Sequence, residues 1–428
     1  MSESGKRRLR RRDFLTGSGA VVGAAVVGGL PRTARAAAAT EIVFASAPFI
    51  DMSSLQDLID TYNGAQKSVH VTFRELPSAS DGVALQKRLV ELLKGTDAPD
   101  VFTLDIMRVA EMAAAGFTLP LDEHFDAKHM QEFSPGVVAG CRVDGKLMAM
   151  PWFADCGMLF SRTDILEKIG VEVPKTWDEL VAAVAKAAGK VPYGFLWQGK
   201  QSEALVCNLV SVIGSNGGSI LAADGTVKLG QPEAVAAVQF LYDTINKSRT
   251  SPREVLGWDE EGCRRPFNEG KALFLRNWSY TWGLAQQANS AVAGKIGVAP
   301  LPHFPGKQSA ACLGGFEYAV NAGSKKRKAA IDFLGWMSSR ETQLRLAVVD
   351  GLAPTRLSVF DEPALATTQP FIAQLKSVFV GAVARPVTKK YPAVSTIIQR
   401  EVATGLATGD IVKALAIAQA KIQIILAS

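Results

Sequence analysis

The chain has 428 residues, 48% hydrophobic and 21% charged. That is enough apolar material for a large core and too long for one typical domain, so two domains are expected and disorder or a fibrous repeat is excluded. The formal charge of +6 resides at the N-terminus: residues 1–39 hold eight basic and two acidic residues, and the rest carries 39 of each. A neutral body gives no general attraction to nucleic acid or to anionic lipid.

The basic start, the weakly apolar stretch 14–30 and the small-x-small site Ala34-Arg35-Ala36 read as a secretory signal peptide over 1–39. Arg11-Arg12-Asp13-Phe14-Leu15 resembles the twin-arginine export motif, so export of a folded protein to the periplasm is expected. Five glycines interrupt the apolar stretch, leaving it short of the roughly 20 strongly apolar residues that span a bilayer. The body then alternates strands and helices. Residues 41–45 read as a strand, and Leu55, Leu58, Ile59 and Tyr62 recur at helical spacing. Val69, Val71 and Phe73 alternate as a second strand, and a helix carrying Leu85, Leu89, Leu92 and Leu93 stops at Gly95 before a third strand at 100–104. This βαβαβ order predicts an α/β fold with open, largely parallel sheets flanked by helices.

Asp144-Gly145 marks a hairpin turn, and a second α/β set follows. It includes strands at 158–161, 193–196 and 272–275, and a capping box at Thr176 and Glu179 that opens a helix to 188. Helices are predicted at 204–213, 231–246, 259–268, 280–288, 325–337 and 340–348, a strand at 318–321, and a last amphipathic helix from 410. No repeat period points to a solenoid.

Gly194 with Gly199-Lys200 has phosphate-loop spacing, but Gln201 stands where a Ser or Thr would hold magnesium, and Phe195, Leu196 and Trp197 fill the loop. Five scattered cysteines, Cys141, Cys156, Cys207, Cys263 and Cys312, allow at most two disulfides, and with four histidines no metal-ligand spacing appears. No cofactor is implied. Aromatic residues do recur beside carboxylates and glycines in turn-like places. Trp152 and Phe153 precede Asp155; Trp197 precedes Glu203; Asn277, Trp278, Tyr280 and Trp282 follow a strand; and Gly314, Gly315, Phe316 and Glu317 precede another. Sugars suit this mixture, because aromatic faces cover ring C–H surfaces while carboxylates and Arg pair with hydroxyls. Asp105 sits at the carboxyl end of the third strand, where open α/β sheets bind ligands.

Over nearly all of 40–428 the chain resembles the family 1 extracellular solute-binding proteins of ABC importers, in particular the trehalose/maltose-type disaccharide binders. The resemblance rests on Val143-Asp-Gly-Lys-Leu-Met-Ala-Met-Pro151 running on through Trp152 to Leu166, on Pro174-Lys-Thr-Trp-Asp-Glu-Leu180, on the stretches 270–280 and 297–302, on Leu313-Gly-Gly315, and on Arg385-Pro386 with Tyr391. It implies a two-lobed periplasmic-binding-protein fold closing on its ligand, with the N-terminal lobe from 40–150 and 300–350 and the C-terminal lobe from 151–299 and 351–428. Crossings are implied near 150–152, 299–301 and 349–354.

By the same resemblance Asp105, Asp155 and Glu203 would accept hydroxyls, Trp278 would be a stacking platform, Gly314 and Gly315 would bring backbone close, and Arg385 would be a planar clamp. Trp152, Asn277, Tyr280, Phe316 and Glu317 complete the expected ligand contacts. The implied partners are a small carbohydrate and the permease subunits of a membrane transporter, with the receptor a monomer. A cationic or amino-sugar ligand, and a secreted glycoside hydrolase using Asp155 and Glu203, stand as alternatives.

Overall fold

A computed structural model describes residues 39–48, 52–77, 82–222 and 224–428. The signal-peptide and twin-arginine expectations fall on residues 1–39, nearly all outside the described residues. The first strands are β1 (Thr40–Ser46), β2 (Val69–Glu75) and β3 (Val101–Asp105), and β1 pairs in parallel with both of the others. The helix Met52–Ala65 forms the β1–β2 connection because Leu55, Leu58, Ile59 and Tyr62 make one apolar stripe, buried against the sheet. Phe44 and Tyr62 meet Phe333 of the helix Arg327–Met337 edge to face, at 5.5 and 5.1 Å between ring centroids.

The hairpin expected at Asp144-Gly145 joins β4 (Arg142–Val143) to β5 (Lys146–Leu147), with Asp144 and Gly145 both at positive φ. Next comes β6 (Met150–Cys156), a strand where the sequence suggested turns and a crossing. Pro151 is tolerated because β6 has a single strand partner. The chain then passes at Gly157 into a second sheet of β7 (Met158–Arg162), β8 (Tyr193–Leu196), β9 (Ala272–Asn277) and β10 (Ile296–Ala299), ordered β10-β7-β9-β8. The capping box forms as expected, with Thr176 and Glu179 closing the start of the helix Trp177–Lys186.

From β10 the chain returns to the first sheet as β11 (Ala311–Val320), antiparallel to β3 on one side and to β6 on the other. A two-residue strand, β12 (Ala382–Val383), adds to the start of β11. Largely parallel pairing therefore holds for β2-β1-β3 but not for the second sheet, where β7 runs antiparallel to both β9 and β10. In that sheet only β8 and β9 run parallel. β11 also starts seven residues before the strand expected at 318, because Gly314-Gly315 reads as a turn in sequence and is a close strand approach in the fold.

Residues 353–361, assigned by sequence to the second lobe, are held by residues of the first. Ser134 N–H donates to the Thr355 carbonyl (2.9 Å), Gln343 Oε1 accepts from the backbone of Thr355 and Arg356, and Arg356 pairs with Glu132. The helices Tyr391–Thr408 and Ile411–Ala427 instead pack on Glu203–Gly214 and Pro232–Asn246 of the second lobe. The architecture is thus the expected two-lobed α/β one: the chain passes between the sheets after β6 and between β10 and β11, whereas the crossing expected near 349–354 does not fall there, since the chain still pairs with the first sheet at β12.

Candidate functional site

β6 and β11 carry the site. Their register sets Gly314 opposite Asp155, Gly315 opposite Ala154 and Phe316 opposite Phe153, and the other edge of β11 sets Phe316 opposite Asp105. Gly315 has φ +120°, and a Cβ there would lie 2.3 Å from the Phe153 carbonyl oxygen, so only glycine permits the approach of the two strands. Phe153 and Phe316, both half-buried, stack with centroids 5.9 Å apart.

Trp278 follows β9 and stands against this pair of strands. A Cβ on Gly314 would lie 3.1 Å from its ring. The indole N–H donates to Glu260 Oε1 (3.3 Å), and the Trp278 backbone N–H donates to Asn277 Oδ1 (2.9 Å). The Arg276 guanidinium lies over the ring at 4.4 Å from its centroid. Asp155 Oδ1 accepts from the Cys156 and Ser279 N–H groups (2.8 and 3.1 Å), tying the crossing strand to the Trp278 loop. Burial pushes the Asp155 carboxyl up to about 6, against the pull of those N–H groups and of Arg276.

A second cluster joins the lobes. Arg385 donates to Asp105 Oδ1 (2.9 Å) and to Glu203 Oε1 (3.2 Å), and its side chain is 6% exposed. Glu203 also accepts from Tyr391 and from Ser395 Oγ (2.5 Å), and Asp105 from the Met107 N–H (3.0 Å). Burial opposes the charge on Arg385, but Asp105 and its neighbours outweigh that and hold the guanidinium charged. Asp105, Glu203 and Arg385, each expected from sequence to contact the ligand, are brought together as partners of one another.

Three expected contacts lie in the interior instead. Trp152 is buried and stacks on Tyr318 at 4.9 Å. Glu317 is buried with Oε2 accepting from the Trp152 N–H (3.2 Å), and burial lifts its carboxyl well above the usual range. Asn277 is buried as a bracket, its Nδ2 donating to the Glu260 carbonyl (3.1 Å). For Glu317 the cause is strand alternation, since Phe316 and Glu317 are consecutive in β11 and their side chains leave opposite faces, while Trp152 lies where the β6–β11 register skips a residue. Tyr280 is 41% exposed, with its hydroxyl donating to Glu261 Oε1 (2.9 Å).

Sequence reasoning missed Arg276, Glu260, Glu261 and the face-to-face stack of Trp282 on Phe371 (4.7 Å, 5°). The available signal was Arg276 itself, a charge in the otherwise apolar run Ala-Leu-Phe-Leu of β9. Among the described residues no group of His, Cys, Asp or Glu could hold a metal ion, and no helix is long and apolar enough to cross a membrane. All five cysteines are free and buried.

The sequence model of the bacterial extracellular solute-binding protein family matches residues 46–344. The chain belongs to this family. It is 36% identical over 333 residues to a probable ABC transporter-binding protein of Deinococcus radiodurans, covering 75% of this chain and 78% of that one. Its fold is similar to that of maltose-bound T. maritima MalE3, with 34% identity, TM-score 0.76, and 90% of this chain and 100% of that chain covered. The cyclic alpha-maltosyl-1,6-maltose binding protein of Arthrobacter globiformis has the same fold at 23% identity and TM-score 0.79, with 91% and 99% covered. The chain is thus the solute-binding component of an ABC transporter, an exported protein whose relatives are binding proteins and not enzymes.

Proposed function

We propose that this protein captures a disaccharide or short oligosaccharide between its lobes and delivers it, as a periplasmic monomer, to a membrane permease. The observation that carries the reading is Trp278, a half-buried indole held on three sides by Arg276, Glu260 and Gly314, with Asp155 and the Phe153–Phe316 stack beside it. A fixed aromatic face covers the C–H surface of a sugar ring, and carboxylates at its edge take up hydroxyls. The likeness to a maltose-bound structure at 34% identity supports the same ligand class. The twin-arginine motif on residues 11–15 supports export of the folded chain.

Asp105, Glu203 and Arg385 act in this reading as the interlobe tie, exchanging part of their mutual bonds for ligand hydroxyls on closure. A thermal-shift screen of residues 39–428, stripped of co-purified solute, tests the proposal against trehalose, maltose, polyols, polyamines and glycerophosphodiesters. A ligand at a hundred times its dissociation constant raises stability by about 2.7 kcal/mol. A shift with neutral disaccharides is expected; a shift confined to charged compounds overturns the sugar reading.

A further inference from the structure

Arg276 is 1% exposed, and neither its Nε nor its Nη2 has a hydrogen-bond partner among the described residues. Its polar contact is Nη1 to Gln198 Oε1 (3.2 Å), an amide itself fixed by the Arg276 carbonyl (2.8 Å) and by Asn208 (3.0 Å). Room for the guanidinium comes from Gly157, where a Cβ would lie 2.6 Å from Nη2 and 2.8 Å from Nε. An apolar side chain of similar length would fill this space without burying a charge. What the charge gains there is the face of Trp278, a ring whose negative quadrupole takes the place of missing acceptors.

We infer that Arg276 is a specificity-determining residue acting through Trp278: it fixes the indole and sets the ring against protonated ligands, favouring neutral polyhydroxy compounds. An aromatic ring attracts a cation over either face. With a permanent cation already on one face, a second one across the ring meets like-charge repulsion in a desolvated site, whereas a neutral sugar does not. Glu260, bonded to the indole N–H, and Asp155, bonded to the Ser279 N–H next in the chain, lie near the ring and pull the other way; the guanidinium is the counterweight that makes two carboxylates usable for hydroxyls without recruiting amines.

This inference rests on Trp278 carrying the ligand, so the experiment separates the two. Dissociation constants for maltose or trehalose and for an amino-sugar disaccharide of similar size are measured by calorimetry for the wild type, W278A, R276M and R276K, with tryptophan emission referenced to W278F. The expected result is loss of binding in W278A and a neutral-to-amino preference that falls about tenfold in R276M and is largely restored in R276K. The Trp278 emission is expected to shift in R276M and not in R276K. If R276M does not fold, G157A displaces the guanidinium with its charge intact, and a shifted emission with weakened sugar binding is expected. Unchanged binding in W278A overturns the underlying reading. Loss in W278A with an unchanged preference in R276M, or unchanged emission and sugar binding in G157A, overturns this inference alone.

Discussion

Arg385 and Arg276 are both buried guanidiniums at the meeting of the lobes, yet they are satisfied in different ways. Arg385 has two carboxylates, at 2.9 and 3.2 Å, drawn one from each lobe. Arg276 has one amide oxygen and the face of an indole. The first arrangement spends its hydrogen bonds inside the protein and ties elements together; the second leaves a fixed aromatic surface for something else to cover. A cluster of ligand-type residues is therefore not uniformly a ligand site: one end of this one is mostly architecture.

Removing Arg385 should give the largest change in stability. R385M strands Asp105 and Glu203 against each other, and a loss of about 2–4 kcal/mol is expected in denaturant unfolding, reduced from the fully buried case because both carboxylates retain some exposure. R385K should recover part of it. The Trp278 end should behave oppositely. W278A is expected to weaken disaccharide binding by about 2–3 kcal/mol in calorimetry, roughly 30–150-fold, with a smaller loss in unfolding of the unliganded protein than R385M gives, because truncating the half-buried indole opens the Arg276 guanidinium to water. Equal stability losses in the two variants would erase the distinction.

The smaller effect is pH-dependent. Asp155 is pushed up to about 6 in the folded state from an ordinary 3.8, so the folded chain holds this proton more tightly than the unfolded chain. Its stabilising contribution is present in acid and lost as pH rises through about 6. D155N keeps an oxygen for the Cys156 and Ser279 N–H groups and removes the ionisation. It is expected to stabilise the unliganded protein by about 1–3 kcal/mol near neutral pH, the gain vanishing below the ordinary carboxylate range. Thermal unfolding of both proteins across that range measures it, and a gain that persists in acid would assign the effect to something other than this proton.

Much of both lobes was legible from local pattern. Alternation in 69–73, the helical stripe from Leu55 to Tyr62 and the capping box at Thr176 and Glu179 are short-range signals, and each forms as read. Asp105 was legible because a strand's carboxyl end is a position, not a contact. The β6–β11 pair was not, since Pro151 and Gly314-Gly315 are turn signals whose strand role depends on a partner some 160 residues away in sequence. The interior placement of Trp152 and Glu317 follows from that same pairing. Arg276 could be seen as a charge in an apolar strand, but its purpose depends on the space left by Gly157.

The most direct measurement is a calorimetric titration of residues 39–428 with maltose and with trehalose, run beside W278A. Saturable one-to-one binding of at least one of them, lost in W278A, is the result expected. Absence of binding by every neutral disaccharide, or binding that W278A leaves intact, would contradict the account.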